Sequence, residues 1–229
     1  MKTLGVLGGM SWTSTAEYYR LLNGGVAARR GGLHSAPLLL HSVDFAQVAQ
    51  LQREDRWEEA GALLANAARG LERAGAGALL LATNTMHKVA PQIEEAVGIP
   101  LLHIADAAAR SIHATGLTRV GLLATAFTME QAFYRERLEG HGLQVLVPDA
   151  AGRGEVHRII YEELCHNVIR EASRAAYRRV MAELVRVGAQ GIILGCTEIT
   201  LLVGTEDTSV PVFDTTCIHV DAAVDWLLA

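Results

Sequence analysis

Gly191-Ile192-Ile193-Leu194-Gly195-Cys196-Thr197-Glu198 reads as a short buried strand running into a polar turn. The apolar run is brief and β-branched, the pattern of a strand buried on both faces. A glycine at its end lets a neighbouring backbone or a ligand come close. Cys196 then stands at the C-terminal edge of a strand, where open α/β sheets bind ligands. Taken alone, it also fits a buried structural thiol, because free cysteine is among the most buried residue types.

Outward from this stretch the same alternation recurs. Residues 4–9 predict a strand and a glycine turn, with Ser14 or Thr15 capping a helix over 16–28. Further strands are expected at 37–43, 78–82, 99–103, 120–124, 145–147 and 210–213. Helices are expected over 57–74, from 87 to 97, over 106–114, up to 140, over 153–167 and 170–187, and from 218. Asp44 is placed to cap a helix at Phe45, a break is expected at Gln52-Arg53, and Gly75 closes the helix before it. Alternating strands and helices predict an α/β fold whose parallel sheets carry helices on both faces.

Composition narrows the function. The 229 residues are half apolar, enough for a large core, and carry a formal net charge of −5 with no basic block. Nucleic acid is not an expected partner, because binding it needs a clustered positive face. No apolar run reaches the length of a membrane-spanning helix, and the N-terminus lacks a signal-peptide pattern, so neither membrane nor export is expected. Cys165, Cys196 and Cys217 have no framework spacing, which points to a reducing cytoplasm, and none has the spacing of a zinc site, so no metal is expected. Gly8-Gly9 matches neither G-x-G-x-x-G nor a phosphate loop, so a nucleotide cofactor is disfavoured.

The two halves of the chain repeat each other in order. Residues 71–76 (LERAGA) align with 184–189 (LVRVGA), and at the same offset of 113 residues Thr83 aligns with Cys196. Gly5-Val6-Leu7 before Tyr19-Arg20 matches Gly121-Leu122-Leu123 before Tyr134-Arg135, and residues 99–102 match 210–213. Four matches in register predict two similar α/β lobes related by pseudo-twofold symmetry, with boundaries at 1–108 plus 211–229 and 109–210. Ligand sites favour the cleft between such lobes. There, Thr83 and Cys196 would flank one carbon from opposite sides, as a racemase requires.

Thr83-Asn84-Thr85-Met86-His87 and Gly195-Cys196-Thr197-Glu198 resemble the two signatures of the aspartate/glutamate racemase superfamily, and Gly8-Gly9-Met10-Ser11 resembles the aspartate-racemase opening. The resemblance implies two Rossmann-like lobes with the active site between them. It also implies racemisation of an acidic or small polar amino acid without pyridoxal phosphate or other cofactor, and a homodimer. The family pattern normally opens both signatures with cysteine. Here Thr83 stands at the first, as in the bacterial branch of broad-specificity or L-aspartate/glutamate racemases with a Thr/Cys pair.

Cys196 is therefore expected to take the α-proton from one face and Thr83 to serve the other, directly or through water. Asn84, Thr85 and Thr197 are expected to bind the α-carboxylate. Family position adds Met10 and Gln52 as substrate contacts, and the duplication adds Thr125 and Thr128. Glu198 is expected to tune the thiol or meet the substrate ammonium. Asn84 and Thr85 also suit helix caps. His87 reads as a helix-face residue, His41, His103 and His219 as structural or exposed, and Cys165 and Cys217 as buried and inert. Arg53 and Arg158 are both open as ligands for a side-chain carboxylate. Two other readings remain at this point: a cofactor-free decarboxylase of the same superfamily, as single-thiol sites allow, and a non-catalytic amino-acid-binding protein.

Overall fold

The computed structural model describes the whole chain, Met1–Ala229, and the chain divides into two compact units. The first comprises Met1–Ile104 and His219–Ala229, and the second Ala105–Ile218. No helix is long and apolar enough to cross a membrane.

In the first unit, β1 (Leu4–Gly8), β2 (Leu38–Ser42), β3 (Ala78–Leu81) and β4 (Leu101–Leu102) form a parallel sheet in the order β2-β1-β3-β4. The central strands β1 and β3 are buried along their whole length, which explains why they read as continuous apolar runs. One face of the sheet (Leu4, Val6, Leu80) packs on Tyr18, Leu22 and Val26 of α1 (Trp12–Arg30) and on Val220, Val224 and Leu227 of α10 (Thr215–Leu228). Each such fully buried aliphatic side chain contributes about 1.5–3 kcal/mol. The other face meets α3 (Trp57–Arg73), and α2 (Phe45–Arg53) precedes it with Asp44 accepting from the Ala46 N–H as expected.

The second unit repeats the plan. Its strands β5 (Arg119–Ala124), β6 (Gln144–Leu146), β7 (Ile192–Gly195) and β8 (Val212–Asp214) are parallel in the order β6-β5-β7-β8. The helices are α5 (Ile104–Ala114), α6 (Ala126–Glu130), α7 (Ala132–Gly140), α8 (Ala150–Glu162) and α9 (Glu171–Arg186). The repeat extends to a glycine in each central strand. A Cβ on Gly5 would lie 3.2 Å from Leu71 Cβ, and one on Gly121 would lie 3.3 Å from Leu184 Cβ, so both glycines admit the helix that covers the sheet.

The structure shifts several expected boundaries. β8 pairs with β7 through Ile192↔Val212, so it belongs to the second unit, and the boundary expected at 210/211 falls after Ile218. The first boundary falls after Ile104 rather than residue 108. Helix α1 starts at Trp12 with Ser11 as its cap, because Thr15 Oγ1 is already committed to the Gly9 N–H and the Ser11 carbonyl. The tyrosine match moves by one residue, since Tyr18 and Tyr134 are the buried pair and Tyr19 is 58% exposed. The helix expected up to residue 97 is a 3-10 turn, Thr85–Val89, followed by α4 (Ala90–Ala96).

Candidate active site

In each sheet the chain continues to opposite sides from the two central strands, the arrangement in which open α/β sheets bind ligands at the C-terminal strand ends. In the first unit β1 and β3 are neighbours, with Leu7 opposite Leu81 and the Ala82 N–H donating to the Leu7 carbonyl. The turns carrying Met10 and Thr83 therefore leave side by side. In the second unit Ala124 lies opposite Gly195, so Thr125 and Cys196 are the next residue on each of two paired strands. The sheet register alone brings these expected residues together within each unit.

The Gly8-Gly9 turn is shaped by packing. A Cβ on Gly8 would lie 2.4 Å from Thr15 Cγ2, and Gly9 has φ +94 with its would-be Cβ 2.2 Å from the Val43 carbonyl. Only glycine fits where α1 and the β2 exit press on this turn. Met10 is buried after it, and the Met10–Ser11 peptide is cis. Gln52, on the last turn of α2, is buried with Nε2 2.9 Å from Met86 Sδ, so it joins the turn that follows Thr83.

Thr83 is partly exposed and its backbone is held on both sides. Its N–H donates to the Leu81 carbonyl at 2.9 Å, and its carbonyl lies 2.7 Å from His87 Nδ1. Asn84 and Thr85 are buried, and Asn84 does not cap the 3-10 turn with its side chain. His87 lies on the 3-10 turn and faces inward: it is 2% exposed, with its ring centroid 4.4 Å from that of His103 and 6.0 Å from that of His219. Burial first, then the two neighbouring imidazoles, hold its pKa well below the usual 6.5, against the opposing bonds to the Thr83 and Asn84 backbone.

Cys196 follows β7 and precedes a 3-10 turn, Thr197–Leu201, the counterpart of the turn after Thr83. Its Sγ–H donates to Glu198 Oε2 at 2.9 Å. Close packing pushes the thiol well above its ordinary value although part of the residue reaches the surface. The Glu198 charge and hydrogen bond add to this, the Glu198 N–H opposes it, and Cys165 adds a smaller push. The resting pair is thus a thiol donating to a carboxylate. Thr197 receives a hydrogen bond from Thr216 Oγ1 at 3.3 Å, and Thr125 Oγ1 lies 3.3 Å from Thr128 Oγ1, with both threonines buried.

One residue at this end of the second unit, His157, carried no sequence signal. The Ala126 N–H donates to His157 Nδ1 at 3.1 Å, pinning the turn after β5. Cys165, expected to be inert, belongs to a short turn packed on the one after Cys196. Burial and then the Glu198 charge push it up to about 12. Cys217 is exposed rather than buried, and all three cysteines are free thiols. Arg158 is committed to Glu163 Oε1 at 2.8 Å, whose other oxygen accepts from Ser173 Oγ at 2.6 Å, which removes Arg158 as a ready substrate ligand. No group of His, Cys, Asp and Glu side chains is arranged to hold a metal ion.

The profile of the family described as Asp/Glu/Hydantoin racemase matches residues 7–223. A crystal structure of a candidate Asp/Glu racemase from Yersinia pestis is 58% identical, with each chain covered in full and a TM-score of 0.96. That of an aspartate racemase homologue from Pyrococcus horikoshii is 34% identical over the whole of both chains, with a TM-score of 0.87. Among curated proteins, the broad-specificity amino-acid racemase RacX of Bacillus subtilis is 25% identical over 159 residues, 69% of this chain and 68% of that protein.

Proposed function

Since the chain belongs to the Asp/Glu/hydantoin racemase family and is an amino-acid racemase, an isomerase, we propose that it racemises an acidic or small polar amino acid of the aspartate/glutamate class without pyridoxal phosphate. The observation that carries this reading is the equivalence of Thr83 and Cys196: each follows the third strand of a repeated sheet and precedes a matching 3-10 turn.

Cys196 is the base for one antipode. Glu198 takes the thiol proton along the existing Sγ–H···Oε2 bond, and the resulting thiolate abstracts the α-proton. The substrate ammonium beside Glu198 offsets the negative charge that opposes the thiolate. Strand-end N–H groups with Asn84, Thr85 and Thr197 bind the α-carboxylate and stabilise the carbanion, and Met10, Gln52, Thr125 and Thr128 complete the pocket. Thr83 then delivers a proton to the opposite face, directly or through water, and recovers it from solvent, while Glu198 releases its proton to solvent. A hydroxyl is a far weaker acid than a thiol, so the two half-reactions are unequal.

The protein acts as a homodimer in the cytoplasm under this proposal. Free thiols suit a reducing compartment. An apolar face of the first unit, with Trp12 73% and Leu40 50% exposed around a shallow pocket of about 350 Å³, suits a second copy. The test of the activity is a panel of L- and D-amino acids in D₂O without added cofactor, with α-deuteration and chirality read by NMR and chiral chromatography. Exchange with inversion is expected for aspartate or glutamate. Its absence for every amino acid tried would defeat the proposal. Sedimentation of wild type and Trp12→Glu tests the dimer, which the variant is expected to dissociate.

A further inference from the structure

We propose that His87 is a positioning residue for the Thr83 half-reaction: its Nδ1–H holds the Thr83 carbonyl, and the imidazoles of His103 and His219 frame the ring that does so. The proposal rests on the reading of Thr83 as a proton-transfer residue. The bonding fixes the tautomer. The Ile104 N–H donates to His87 Nε2 at 3.3 Å, so the ring proton sits on Nδ1, 2.7 Å from the Thr83 carbonyl. With the Thr83 N–H on the Leu81 carbonyl, the peptides on both sides of Thr83 are tied. Its β-branched side chain then has few rotamers to choose from. The two backbone ties set the direction in which the Thr83 side chain leaves the turn.

The frame is fixed as firmly as His87. His219 is fully buried, and its Nε2 lies 2.6 Å from the Leu102 carbonyl, which can only accept. Its proton is therefore on Nε2, and Nδ1 accepts from the Tyr18 hydroxyl at 3.0 Å. His103 packs edge-on against His87. Both chain crossovers between the units, 104/105 and 218/219, begin at residues bonded into this cluster. Reacting groups misplaced by about 1 Å lose on the order of a hundredfold in rate, so a tie on the residue that carries the hydroxyl has kinetic consequences.

Two near-isosteric variants separate the bonds of His87. His87→Asn puts an amide N–H where Nδ1 stands and keeps the tie to Thr83, while His87→Gln puts a carbonyl near Nε2 and keeps only the bond from Ile104. The expected result is that His87→Asn retains kcat within about threefold, whereas His87→Gln loses on the order of a hundredfold in kcat with KM little changed. In a Thr83→Ala background, His87→Gln should add no further loss. Equal activity in the two variants, or losses that simply follow their melting temperatures, overturns the proposal. Should both variants fail to fold, ¹⁵N–¹H NMR of the wild-type ring decides: an Nδ1–H tautomer is expected, and an Nε2–H tautomer overturns it. Full activity of Thr83→Ala on its own would remove the reading of Thr83 and this proposal together. Loss in Thr83→Ala with no difference between the His87 variants removes the His87 proposal alone.

Discussion

Replacing Glu198 by Gln should make the Cys196 thiol more reactive and the enzyme slower. The carboxylate oxygen is 2.9 Å from Sγ. Even at the dielectric constant of water, a unit charge at that distance costs the thiolate about 1.4 kcal/mol, or tenfold in thiolate fraction at fixed pH. The packed surroundings make the true cost larger. Gln keeps the shape and a hydrogen-bonding group but removes the charge. Alkylation of Cys196 by iodoacetamide near pH 8, followed by mass spectrometry of the Cys196 peptide so that Cys165 and the exposed Cys217 do not interfere, should accelerate at least tenfold. Racemisation should fall at least tenfold in kcat, because Gln cannot take the thiol proton. The opposite signs are the diagnostic feature. Unchanged or slower alkylation would falsify the electrostatic coupling of Glu198 to Cys196. Faster alkylation with undiminished racemisation would keep the coupling and remove Glu198 as proton acceptor.

Two further predictions concern stability, one in each unit. Cys165 has its folded-state pKa raised from 9.0 to about 12, so its contribution is fully present below pH 9 and is lost as pH climbs towards 12. Cys196 and Tyr177 are shifted in the same direction. Melting temperature should therefore fall on the alkaline side, and less steeply in Cys165→Ala; parallel curves would contradict the assignment. Gly9→Ala forces a Cβ to within 2.2 Å of the Val43 carbonyl at positive φ, which should cost about 3 kcal/mol or more and lower Tm by roughly 6–12 °C. A Tm within 2 °C of wild type would show that the turn relaxes freely.

The fold was largely legible in the sequence because its central strands are buried on both faces, and the repeat places equivalent apolar runs at a constant offset. The strand ends carrying Thr83 and Cys196 followed from that repeat. What the linear pattern misplaced were edges decided by pairing and close packing. β8 joins the second sheet because Val212 pairs with Ile192, a partner twenty residues away in sequence. Ser11 caps α1 because Thr15 is held by Gly9, which no cap rule anticipates. The surroundings of His87 and Cys165 were hidden for a similar reason. A histidine two residues after Thr85 looks like any helix-face residue until the chain brings Ile104, His103 and His219 around it. The turn carrying Cys165 packs on the one that follows Cys196, and burial keeps its thiol protonated, in line with an inert residue.

The asymmetry of Cys196 and Thr83 is the central claim, and deuterium wash-in from single enantiomers tests it most directly. Overall kcat/KM must be equal in the two directions, because the equilibrium constant of a racemisation is one. Wash-in to unconverted substrate carries no such constraint. In D₂O without added cofactor, the antipode whose α-hydrogen faces Cys196 should acquire deuterium at least tenfold faster than the other, and Cys196→Ala should abolish that exchange. Equal wash-in from both enantiomers, or exchange that survives in Cys196→Ala, would contradict the account.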